Sequence, residues 1–147
     1  MTPADAEPIT TTNRLLAVVD DPAATSAVLR SLTDAGIGSD RTELLQGPNG
    51  LARFAARSRG GPMRRAMRFL SFIAVDQAVD LAWYEAALAD DRAVVVLRVP
   101  EAHLRLAAVD ALRRHGAHFV NHYGRMATED VVPWRGARPE MHWIHHR

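Results

Sequence analysis

The chain has 147 residues, no cysteine and a formal net charge of +1. That length fits one domain with a real core, and the missing cysteine excludes a disulfide framework, a thiolate nucleophile and a thiolate metal ligand. No apolar run approaches the ~20 residues of a membrane span, and the polar opening residues do not form a signal-peptide core. A reducing, cytoplasmic setting is the expectation.

In chain order, residues 1–13 read as a flexible leader. RLLAVV from Arg14 predicts a first strand, ending at Asp20-Asp21-Pro22. Asp21 is placed to cap the next helix, a contribution of about 1 kcal/mol. Ala24, Val28, Leu29 and Leu32 make that helix's apolar face, and Gly36 closes it. Arg41–Gln46 predicts a second strand, and Gly47-Pro48-Asn49-Gly50 is turn chemistry. A helical insertion over 51–90 is then expected: Leu51–Arg57, a break near Gly60-Gly61-Pro62, Met63–Val75, and Gln77–Ala89 with Trp83 and Tyr84.

The clearest unit is Ala93 to Arg125. Ala93–Val99 is β-branched and apolar, as suits a strand buried on most of both faces. Pro100 and Glu101 fit the start of a helix. Leu104, Ala108, Ala111 and Leu112 form one stripe, with Arg113, Arg114 and His115 at the cationic end and Gly116 as its stop. Ala117–Tyr123 alternates again, with Phe119 and Tyr123 on one side and His118, Val120 and His122 on the other. Because strand–helix–strand occurs at 14–46 and again at 93–124, the expected fold is α+β: a ferredoxin-like βαβ…βαβ sandwich over 14–125, with the insertion between its halves. Residues 126–147 are expected to be an extended tail lying against the protein or a partner.

DDPAATSAVLRSLTDAGI, YEAAL, VVVLRV and LRRHGAHFV with YGR resemble the general-stress-protein-type (heat-induced stress protein) domain, over about Arg14 to Arg125. The resemblance implies a small bacterial protein with a stress association and contributes no catalytic residues. The Arg-rich insertion and the His- and Trp-bearing tail depart from the family pattern.

Three sets of residues are candidates for function. All eighteen basic residues are Arg, and six of them (Arg53, Arg57, Arg59, Arg64, Arg65, Arg68) fall between Leu44 and Val75 without an acid. Arg suits phosphate and carboxylate forks, so this block, with Phe72 beside it and Trp134 and Trp143 in the tail, is a candidate surface for a partner or an anionic surface. Met63–Val75 has the basic amphipathic character of a helix lying on a membrane without crossing it. The competing reading is that Asp76, Asp80 and Glu85 neutralise the block within the fold. Nucleic acid is the weakest reading, since no binding motif accompanies the charge.

The second set concerns the sheet face away from the two helices. Its strands look apolar on both sides, so a second copy, the insertion or the tail must cover it. Otherwise it opens as a ligand cleft lined by Arg98, Phe119 and Tyr123. The third set is histidine, all seven lying after residue 102. His118 with His122, and His142 with His145, have spacings that could share a metal or haem, but no ligand motif accompanies them, and ordinary sheet-surface and tail histidines are the favoured reading.

No Gly-x-Ser-x-Gly elbow, P-loop or dinucleotide fingerprint is present. The sequence therefore points to a non-catalytic interaction or accessory protein without a cofactor, working as a homodimer or as a subunit of a larger assembly. The alternative is a small-ligand, haem or metal-binding protein. An enzyme on a dimeric scaffold of the same kind ranks third.

Overall fold

A computed structural model describes residues 13–58, 71–124 and 128–139. The central strand is β1 (Arg14–Val19), buried along its whole length. After it, Asp21 Oδ1 accepts the Ala23 N–H at 2.9 Å, capping a 3-10 turn (Pro22–Ala24) that leads into α1 (Thr25–Asp34). The chain reverses at Gly36, φ +93°, a conformation that favours glycine, and returns as β2 (Thr42–Leu45). Helices α2 (Gly47–Ser58) and α3 (Ser71–Ala89) come next, followed by β3 (Ala93–Arg98), α4 (Ala102–Arg114), β4 (His118–Tyr123) and β5 (Thr128–Val132). The molecule is α+β, with one five-stranded sheet in the order β2-β3-β1-β4-β5 and every neighbouring pair antiparallel.

Alternation along β1 sends its side chains into two different cores. Leu15, Ala17 and Val19 join Val28 and Leu32 of α1 and Ala108, Ala111 and Leu112 of α4. Leu16 and Val18 join Phe54 of α2 and Leu81, Tyr84, Ala87 and Leu88 of α3. Each such Leu, Val or Phe contributes about 1.5–3 kcal/mol on burial, so both faces are true core. Of the three coverings the sequence allowed for the second face, the insertion supplies Phe54, Leu81, Tyr84 and Leu88 and the tail adds Trp134.

Three local features differ from the sequence expectation. Gly47–Gly50 is the first turn of α2 instead of a free turn. Pro48 is tolerated there because a first-turn residue has no helical acceptor for an N–H. Gly50 is needed for proximity: a Cβ on it would lie 2.9 Å from the Leu45 carbonyl carbon, so α2 could not close onto β2. Met63–Val75 and Gln77–Ala89, expected as two helices, are not separated at Val75, since α3 runs unbroken from Ser71 to Ala89. Finally, part of the tail is a strand, β5, paired with β4 from Val120↔Val132 to Tyr123↔Thr128.

One irregularity governs the β4 side chains. Leu16 pairs with Asn121 but Val18 pairs with His118, so Phe119 and Val120 together face Ala17. This is a β-bulge, and Phe119 takes φ +47° within it. A bulge reverses the alternation of everything beyond it.

Candidate functional site

The bulge decides the histidine question first. His118 lies opposite Val18, on the α2–α3 side, whereas His122 lies opposite Leu15, on the α1–α4 side. The expected His118–His122 pair is therefore split across the sheet and cannot share one ion. Among the described residues, no group of three or more His, Cys, Asp or Glu side chains is placed to hold a metal. His142, His145 and Trp143 lie outside the described residues.

His118 has a different occupation. It is buried, its Nε2 lies 2.6 Å from Asp20 Oδ1, and its Nδ1 accepts the Arg135 backbone N–H at 3.1 Å. A backbone N–H can only donate, so the ring proton sits on Nε2 and points at the Asp20 carboxylate. With both nitrogens committed, this dyad has no nitrogen left to act as a base towards an incoming molecule. Trp134 meets the His118 ring edge-on at 4.7 Å and packs against Trp83 and Phe119. The Arg92 guanidinium lies 5.1 Å from the centre of the Trp134 ring, reaches Asp20 at 3.1 Å, and donates to the Ala137 carbonyl at 2.7 Å. The segment 133–139 is thus pinned to the sheet end. Trp134, expected to meet a partner, is instead turned inward and half-buried.

A second network sits deeper. The Tyr84 hydroxyl receives the Asn121 amide at 2.9 Å and lies 2.8 Å from the Phe119 carbonyl and 3.1 Å from that of Leu16. Burial pushes its pKa well above the ordinary tyrosine value. Tyr123 is raised for the same first reason, and its hydroxyl donates to Asp80. Phe119 and Tyr123 therefore serve the core, and neither lines a cleft with Arg98.

Arg98 does line a cleft, with different neighbours. On the α2 side of the sheet, at the first residue of β1 and the last of β3, Arg14, Arg41, Arg53, Arg57 and Arg98 are among the residues lining a cavity of about 280 Å³. Strand register explains the gathering. Arg14 opens β1, Arg98 closes β3, and the two are directly opposite in the antiparallel ladder, on the same face as Leu16 and Val96. Glu43, opposite Val96 on β2, accepts from both Arg53 and Arg57 of α2. Arg57 is buried by this, whereas Arg53 stays about half exposed. Arg41 forks onto both oxygens of Glu101, at 2.7 and 2.9 Å, and holds that carboxyl below its usual range. Among the described residues, the exposed Arg98 side chain has no hydrogen-bond or ion-pair partner. Two of the six arginines of the basic block, Arg53 and Arg57, reach this cleft. Arg59, Arg64, Arg65 and Arg68 lie outside the described residues, as does the side chain of Phe72. Arg14 and Arg41 had not been singled out by sequence. The sign available was that RLLAVV and AVVVLR carry Arg at ends that antiparallel pairing brings together.

No helix among the described residues is long and apolar enough to cross a membrane. The chain matches no protein-family model, no curated protein and no solved structure.

Proposed function

We propose that this protein is a non-catalytic binding module that takes hold of an anionic group presented by a partner, using the arginine cleft at the ends of β1 and β3. The observation that carries the reading is the gathering of five arginines in the lining of one cavity. Arginine is the side chain suited to gripping carboxylate or phosphate oxygens two at a time, and it keeps its charge at any physiological pH. The scaffold is read as a ferredoxin-like βαβ…βαβ unit. The strand order β2-β3-β1-β4, with α1 and α4 on one face, supports this, and the α2–α3 layer and β5 are additions to it. The partner is a subunit of a larger assembly or a second copy of the chain, in the stress-associated setting that the family resemblance implies.

The test is retention on an immobilised polyanion such as heparin at low salt. The wild-type protein should be retained and released as salt rises. The Arg53→Glu/Arg98→Glu variant should elute clearly earlier, with an unchanged circular-dichroism spectrum. Equal elution of the two proteins would end this reading.

A further inference from the structure

Strand β3 carries opposite charge at its two ends. It finishes at the cleft with Arg98 and begins, five residue steps or roughly 17 Å away, just after Asp90-Asp91-Arg92. β1 runs antiparallel to it, with Arg14 opposite Arg98 and Val19 opposite Ala93, so Asp20 and Asp21 arrive at that same far end. Part of this acidity is answered within the fold. Arg92 reaches Asp20 at 3.1 Å and Asp90 at 3.0 Å, and Asp21 caps the turn before α1. Asp91 is different: its side chain is exposed and has no hydrogen-bond or ion-pair partner among the described residues.

Asp91 also does little for the fold. It sits just past the C-terminus of α3, where the helix dipole disfavours negative charge. Its φ of +61° is one at which glycine is the usual residue. What the position offers is presentation, since the carboxylate stands on a tight helix–strand turn with solvent around it. Such a turn is shaped to enter a cleft, whereas the exposed acids Glu129 and Asp130 lie along the strand β5.

We propose that the anion presented to the arginine cleft is the Asp91 carboxylate of a second copy of this chain, with Arg98 as the group that grips it. This rests on the anion-binding reading above and names the partner. Arg98 and Asp91 lie at opposite ends of β3, so one chain cannot join its own two groups. A copy that fills its neighbour's cleft leaves its own cleft open for the next, and the contact is heterologous, head to tail. An interface centred on one turn belongs to the small, transient class, with dissociation constants of roughly 10 μM to 1 mM.

The experiment is sedimentation equilibrium of the full chain across that concentration range at low ionic strength. The average mass should climb past that of a dimer without a plateau, and should return to that of the monomer as salt screens the contact. Arg98→Gln and Asp91→Asn should each weaken association at least about tenfold; asparagine tolerates the left-handed backbone at 91, so the turn is kept. An equal mixture of these two variants should regain the wild-type affinity yet stop at a dimer, because each supplies one intact half of a single contact. Asp130→Asn, which removes an exposed carboxylate elsewhere, should change nothing. A monomer at every concentration, association indifferent to Asp91, or two variants that fail to complement each other would overturn the proposal. If the chain stays monomeric while heparin retention still depends on Arg53 and Arg98, only the identity of the partner is refuted. If both fail, the anion-binding reading falls with it.

Discussion

Replacing Tyr84 with Phe removes one oxygen from the junction of α3, β1 and the β4 bulge. The ring is fully buried, so no water replaces the hydroxyl. Two groups are left stranded: the Asn121 amide, which donates to it, and the Phe119 carbonyl, which accepts from it. A buried polar group without a partner costs about 1–3 kcal/mol, so the expected loss is about 3 kcal/mol, a large share of the ~5–15 kcal/mol typical of a whole domain. Urea unfolding followed by tryptophan fluorescence measures it, as a lower midpoint at unchanged slope. Adding Asn121→Leu removes the second partner at similar size, and the double variant should lose about 1–2 kcal/mol less than the two single losses combined. A second signature lies in alkali. Tyr84 has its folded pKa raised, so its contribution is complete below the unfolded value of 10.0 and is lost as pH climbs towards the folded one. Tyr84→Phe should therefore lose less stability than wild type above pH 10. A cost below 0.5 kcal/mol, with no change in alkaline sensitivity, would refute the network as described.

The other predictions test separate parts of the molecule. Phe54→Ala should cost about 3–5 kcal/mol, because Phe54 is fully buried between α2 and the sheet; a loss under 1 kcal/mol in urea melts would show that α2 is not a core layer. His122 is buried and its pKa is lowered, first by burial and then by Arg105, against an opposing pull from Glu129. Its contribution is therefore complete above the unfolded value of 6.5 and declines as pH falls below it; His122→Gln should flatten the change in urea midpoint between pH 7.5 and 5.5, and parallel pH curves for the two proteins would contradict this. His118→Leu removes the acceptor of the Arg135 N–H and one of the two partners of Asp20, leaving Arg92. Trypsin should then cut after Arg135 several-fold faster, with tryptophan emission moving to the red, and an unchanged digestion rate would show that His118 does not pin that segment.

The sequence conveyed the parts of the fold that depend on local chemistry. β1 and β3 are runs of residues that suit a sheet buried on both sides, β4 shows itself by its alternation, and Asp21, Gly36 and Gly116 mark helix ends by what their side chains, or lack of them, allow. It misled where one residue type serves two purposes. Gly47-Pro48-Asn49-Gly50 has the composition of a turn, yet its second glycine is required by the closeness of Leu45, which no local pattern encodes. β5 escaped notice because an edge strand has one paired side only, so Glu129 and Asp130 are free to be polar and exposed. The bulge left no sign either, since a bulky Phe at positive φ is held there by surrounding contacts, and it separated two histidines that simple alternation placed together. The cleft was half legible. Arg53, Arg57 and Arg98 stood out individually, but their meeting with Arg14 and Arg41 is a product of strand register.

The helices α2 and α3 that pack on the second sheet face both fall between β2 and β3, whereas the opposite layer is built from two separate connections, α1 between β1 and β2 and α4 between β3 and β4. A layer contiguous in sequence is suited to open as one cooperative unit. Amide exchange should resolve two cooperative units, with α2 and α3 opening at lower free energy than β1 and β3. Opening would carry Arg53 and Arg57 away from Arg14 and Arg98, so an anion bridging the two groups would act as a clasp across the seam, and the slowed exchange of α2 would record its presence.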